Sequence, residues 1–121
     1  MKAVVISVIL LIAVVTGTVL NFFFVNSRID EMKQITQRIS ESNGDRLSDA
    51  EELYELWERN REALSISTGL REIDRATENL LCLVVACQSD NEWAIQQSCT
   101  LFCNALDDIA RYEKFSIESI L

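Results

Sequence analysis

Twenty-three successive residues, 3–25, carry no charge, directly behind Met1 and Lys2. As a helix they reach roughly 34 Å, enough to cross a hydrocarbon layer about 30 Å thick. Sixteen of them are Val, Ile, Leu or Phe. Each contributes about −0.3 to −0.6 kcal/mol near the centre of a span, which outweighs Ser7, Thr16, Thr18 and Asn21. The expected organisation is therefore a transmembrane anchor over residues 1–27 and an acidic helical bundle over residues 28–121. A cleaved signal peptide is the competing reading. It is disfavoured because the apolar stretch exceeds the usual core of such signals and runs into Asn21-Phe22-Phe23-Phe24-Val25 without a small-x-small site.

Two arguments about orientation disagree. The short amino-terminal tail has signal-anchor form, which places the bundle outside the cell. Arg28, Lys33 and Arg38 follow the stretch while Lys2 precedes it, and that balance favours the opposite. The expectation is a cell-membrane protein with an extracytoplasmic bundle.

Beyond the stretch the chain reads as helices. It has no proline and three glycines among 121 residues, too few turn residues for a β-rich domain. Ile29, Met32, Ile35 and Ile39 recur at spacings of three and four, an amphipathic helix continuing from the anchor. Ser42-Asn43-Gly44-Asp45 closes it. Ser48 and Glu51 form a capping box for a second helix with the stripe Ala50, Leu53, Trp57 and Leu64, widened by Tyr54 and Leu56. A break at residues 65–69 precedes a third helix whose seam is Leu70, Ile73, Thr77, Leu80, Val84 and Cys87. Residues 80–87 are apolar all round, which suggests a central helix. The capping pattern recurs at Ser89-Asp90-Asn91-Glu92, before a fourth helix with the seam Ile95, Cys99, Phe102, Leu106 and Ile109. An echo at an offset of 41 residues, Ser48-Asp49 with Glu51 against Ser89-Asp90 with Glu92, suggests two αα-hairpins. The fold class is all-α, an N-terminal transmembrane helix followed by a small antiparallel bundle of about four helices.

With Lys2 set aside, ten Lys and Arg face nineteen Asp and Glu, a net charge of −9. Such a surface does not bind nucleic acid by phosphate neutralisation and is repelled by anionic lipid. Solubility explains it, and it could also attract a basic partner.

No residue set carries catalysis. The chain has no histidine, no glycine-rich phosphate loop and no nucleophile elbow. The pairs Glu51/Glu52, Glu55/Glu58 and Asp107/Asp108 fall on outward helical faces, where carboxylates are solvated. The thiols Cys82, Cys87, Cys99 and Cys103 lack the Cys-x-x-Cys spacing of redox sites and the paired knuckles of a metal site. No cofactor is expected. In a hairpin turning near residue 90, Cys82 and Cys99 come level but point apart. Cys99 and Cys103 share a face with β-carbons about 5–6 Å apart, beyond the roughly 3.5–4.5 Å a disulfide requires. Free, mostly buried thiols are expected. If one bridge forms, Cys82–Cys99 is the pair, and it needs the third helix rotated. Cys82 is also the candidate for an intermolecular bond.

Trp57 and Trp93 lie on or begin apolar stripes and are expected in the core; exposed, they would anchor a partner. The closing Phe115, Ile117, Ile120 and Leu121 are expected to dock across the bundle, or else to be offered to a groove on another protein.

The anchor behind Met1-Lys2, the capped acidic helix with Trp57, the start at Asp90-Asn91-Glu92-Trp93-Ala94 and the closing run Phe115-Ser116-Ile117-Glu118-Ser119-Ile120-Leu121 together resemble a bacterial family, the domain-of-unknown-function family four-three-six-three. The likeness extends over the whole chain, with its most specific part at the end. Its members are short, anchored helical proteins without an established activity, so no catalytic residues carry over. The resemblance implies a bacterial membrane setting and service beside a multi-pass membrane protein. The cysteines are not part of that pattern.

The functional expectation is a non-catalytic accessory or scaffold subunit, held in the lipid bilayer by residues 3–25 and binding another integral membrane protein. The alternative is a tethered sensor that takes a small apolar ligand or responds through its thiols.

Overall fold

Forty consecutive residues, Lys2–Glu41, form one helix, α1, that carries the uncharged stretch straight into the rest of the protein. The computed structural model describes the backbone of residues 1–41 and 44–120, and their side chains except at 66, 67, 116, 117 and 120. Three further helices follow: α2 (Arg46–Ser67), α3 (Leu70–Gln88) and α4 (Glu92–Ile120). Among the described residues there is no strand. Consecutive helices pack together and α4 returns to α1, closing a ring of four. Short connections make neighbours antiparallel, the up-down form of a four-helix bundle.

Up to Phe24 the side chains of α1 are exposed or half-exposed, and the first buried one is Val25. From there Ile29, Met32, Ile35 and Ile39 enter the core, as their spacing predicts. The stripe of α2 is also as expected: Ala50, Leu53, Leu56, Trp57 and Leu64 are buried and Tyr54 packs at the edge. In α4 the seam Ile95, Cys99, Phe102, Leu106 and Ile109 is buried throughout. Trp57 and Phe102 meet edge to face at the centre, with ring centroids 5.9 Å apart. The indole N–H of Trp57 donates to Thr77 Oγ1 at 2.8 Å, which satisfies the one polar atom that this large side chain brings inside.

The third helix departs from expectation. Its buried residues are Ile73, Ala76, Leu80, Leu83, Ala86 and Cys87, whereas Leu70 is 69% exposed and Val84 only partly covered. The helix is rotated so that Ala76 and Leu83 face inward in place of Leu70 and Val84. Nor is it central. In a closed ring every helix keeps an outer side, and the all-round apolar segment spends its surplus there, with Leu81, Cys82 and Val85 exposed.

The helix starts are also shifted. Asp45, not Ser48, caps α2, its carboxylate accepting from the backbone N–H groups of Leu47 at 3.1 Å and Ser48 at 3.2 Å. A charged acceptor makes the stronger cap, and it stands first after Gly44, whose φ of +125° suits a residue without a side chain. At α4 the cap is Asn91, whose Oδ1 accepts from Ala94 N–H at 3.2 Å; Ser89 instead ends α3.

The bundle thus has two unlike ends. The distal end holds the turns α1–α2 and α3–α4. The basal end, toward the uncharged stretch, holds Thr68, Gly69 and the last turns of α4.

Candidate functional site

The structure separates the two tryptophans that the sequence treats alike. Trp57 has no exposed surface, so it is a core residue and is withdrawn as a partner anchor. Trp93 is 73% exposed on the first turn of α4, a correction to its expected place in the core. It precedes the inward stripe that starts at Ile95 and lies on the opposite side of the helix from Phe102 by helical geometry. The closing run is not a strap across the bundle but the end of α4, and Phe115 within it is 69% exposed. The side chains of Ile117 and Ile120, and Leu121 altogether, lie outside the described residues.

All four cysteines are free. The Cys82–Cys99 bridge does not form. Cys99 is buried, with its thiol 3.8 Å from the Thr36 carbonyl on α1, whereas Cys82 stands on the exposed side of α3. The rotation of α3 leaves Cys82 facing out. Burial pushes the Cys99 thiol up to about 12, with smaller contributions from Cys103 and Cys87. It also raises Cys87, against the pull of Arg46, and Cys103, against that of Lys33. These three thiols stay protonated at neutral pH and are weak nucleophiles. Among the described residues no group of three or more Cys, Asp or Glu side chains converges as metal ligands.

Cys99 and Cys103 line a groove of about 400 Å³ between α1 and α4, together with Lys33, Thr36, Ser40 and Asp107. Lys33 and Asp107 pair within it. Asp108 meets Arg111 at 3.1 Å, Glu52 meets Arg38 at 3.4 Å and Glu58 meets Arg61 at 3.4 Å. At least one carboxylate of each pair read from the sequence therefore serves an ion pair at the surface, and Glu51 and Glu55 stand exposed; none of these groups lies in an enclosed acid–base site.

What the sequence missed is an uncovered apolar face on α3 and the adjoining side of α4. Leu81, Val85 and Leu101 are large exposed apolar residues there, and Val85 is 58% exposed. Leu81 forms a ridge between two shallow depressions. One, about 280 Å³, is lined by Tyr54 and Val84 with Glu51 and Glu55 at its rim. The other, about 390 Å³, is lined by Cys82, Val85, Ala94 and Ser98. The signal was present in the all-round apolar run 80–87, because a ring of four helices cannot bury every side of one of them. Such an apolar ridge with an acidic rim is suited to receive another apolar surface.

Compared with known proteins, the chain matches no family model, no curated protein and no solved structure.

Proposed function

We propose that this chain is a single-pass membrane protein whose bundle serves, without catalysis, as an accessory subunit to another integral membrane protein. The observation that carries the reading is the continuity of α1. One unbroken helix is long and apolar enough to cross a membrane in its first part, buries none of that part, and becomes a wall of the bundle in its second. A rigid joint of this kind holds the bundle at a fixed height over the bilayer. Leu81 lies eleven residues beyond Leu70 at the base, roughly 16 Å higher along α3. A partner that covers the Leu81–Val85 ridge must itself rise from the same membrane, and Glu51 and Glu55 favour one with a basic margin. A bacterial cell membrane with the bundle on its extracytoplasmic side completes the proposal.

Recovery of the tagged chain from membranes in mild detergent tests this. A membrane protein should co-purify with the parent chain, and Leu81→Asp with Val85→Asp should release it while helicity is unchanged. Recovery of the parent chain always alone contradicts the accessory role.

One observation favours the sensor reading: the exposed thiol of Cys82 sits in the same face. Under docking, Cys82→Ser retains the partner; under thiol sensing, it abolishes an oxidant response that the parent chain displays.

A further inference from the structure

We infer that the basal end of the bundle is seated in the lipid interface, with Leu70, Tyr112 and Phe115 resting in the boundary between headgroups and acyl chains beside the anchor. This rests on the membrane reading above and extends it from one helix to three.

Cross-helix contacts set the heights. Ser40 donates to Gln96 at 2.7 Å, and Lys33 pairs with Asp107 further down the same two helices. Carried on at an equal rise along antiparallel helices, this register puts residues 112–115 level with about residues 21–28 of α1. Thr68 donates to Glu113 at 3.2 Å, which brings the α2–α3 connection, and Leu70 just after it, to the same level. That level is the end of the uncharged stretch, where Phe23 and Phe24 are exposed and Arg28 stacks 5.4 Å from the Phe24 ring. The base therefore does not hang above the bilayer on a stalk. It meets it.

Three exposed side chains at that level suit this position, and the long cationic chains of Arg71, Arg111 and Lys114, exposed beside them, can reach up to the headgroups. Leu70 and Phe115 are each 69% exposed, a poor arrangement in water for the first residue of one helix and the last turns of another. Tyr112, also exposed, combines an apolar ring with a polar tip, the residue type enriched at membrane–water boundaries. Glu118, one turn beyond Phe115, is exposed and by the same register comes level with about residues 18–22; a carboxylate is costly among acyl chains, so it sets the limit to how deep the end of α4 can sit. The seat is interfacial and not a second span.

The test uses the full chain in phosphatidylcholine vesicles whose acyl chains carry bromine, a short-range quencher of tryptophan fluorescence. Trp93→Phe removes the exposed indole, and Trp57, about 10 Å above Leu70 by helical rise, remains as an internal reference. Into this background go Phe115→Trp or Leu70→Trp as reporters on two different helices, and Phe23→Trp as the control on the anchor. The expected result is strong quenching at positions 115, 70 and 23, with Trp57 little affected. Quenching at position 23 while both reporters stay as bright as in unbrominated vesicles overturns the seating but leaves the anchor standing. No quenching at position 23 removes the anchor and the seating with it. Both reporters replace exposed side chains, and unchanged helicity by circular dichroism confirms that each variant is folded.

Discussion

Arg46, the first residue of α2, grips Glu92, the first residue of α4, with both terminal guanidinium nitrogens; Nη2 lies 3.1 Å from Oε1, and Nη1 meets Oε2. The same guanidinium donates from Nε to the Ile39 carbonyl at 2.9 Å and from Nη2 to that of Ser40 at 3.4 Å. Gln96 adds a donation to the Ser40 carbonyl at 2.7 Å. Carbonyls in the last turn of a helix lack intrahelical partners, so one side chain completes the end of α1 and ties it to the starts of α2 and α4. The distal end is locked by polar contacts, whereas apolar residues mark the base.

This lock predicts an acid-sensitive contribution to stability. Hydrogen bonding from Arg46, then from Gln96, holds the Glu92 carboxyl below its ordinary value of 4.5. A carboxyl depressed in the folded state stabilises it above the unfolded value, and that contribution is lost as pH falls through the folded one. Glu92→Gln should therefore melt below the parent at pH 7, and the difference should close in acid below about pH 4.5. Thermal melts by circular dichroism across pH 3–7 read this directly. A difference independent of pH would mean that the ion pair contributes nothing.

The rotation of α3 gives a sharper test. Leu83 is fully buried, so Leu83→Ala should cost about 2–5 kcal/mol in lost transfer energy and cavity formation. Leu81→Ala and Leu70→Ala remove exposed side chains and should lie within about 0.5 kcal/mol of the parent in detergent. Urea denaturation of the three variants separates them. If Leu70→Ala were the damaging change, the seam read from the sequence would be right.

At the centre, Trp57→Ala should cost about 3–5 kcal/mol, a large part of the roughly 5–15 kcal/mol that holds a domain together. Trp57→Phe should recover much of that loss. It keeps a ring against Phe102, and Thr77 Oγ1 still donates to the Ile73 carbonyl at 2.8 Å. Denaturation midpoints should order as parent, Trp57→Phe, Trp57→Ala.

Thiol labelling should sort the cysteines by burial. A maleimide applied to the folded chain at pH 7 should modify Cys82 first, Cys103 slowly, and Cys87 and Cys99 only after denaturation. Peptide mass mapping over time shows the order. Early modification of Cys99 would be incompatible with a buried thiol pushed up to about 12.

The helices themselves were legible in the sequence because each buries one periodic stripe, and three of the four stripes are buried as the spacing indicates. The third was not, because Leu80-Leu81-Cys82-Leu83-Val84-Val85-Ala86-Cys87 offers more than one stripe of equal quality, and only packing against α2 and α4 chooses between them. Cap positions moved for a related reason: Asp45 and Asn91 compete with Ser48 and Ser89 as acceptors within a few residues, and the geometry of the turn decides. Contacts across the bundle were not legible at all. Thr68 and Glu113 are 45 residues apart, and both are buried at a place where polar residues read as solvated. Trp93 was named from the sequence as a partner anchor only on condition of being exposed, and Leu81 was not named at all; the fold decides both, since exposure depends on which side of a helix its neighbours leave open.

The most direct measurement combines alkaline carbonate extraction of membranes with intact mass determination of the chain that remains. Residues 1–25 joined to the bundle and retained in the washed membrane pellet are the predicted result. A folded bundle in the carbonate supernatant, lighter by the mass of its apolar leader, would contradict it.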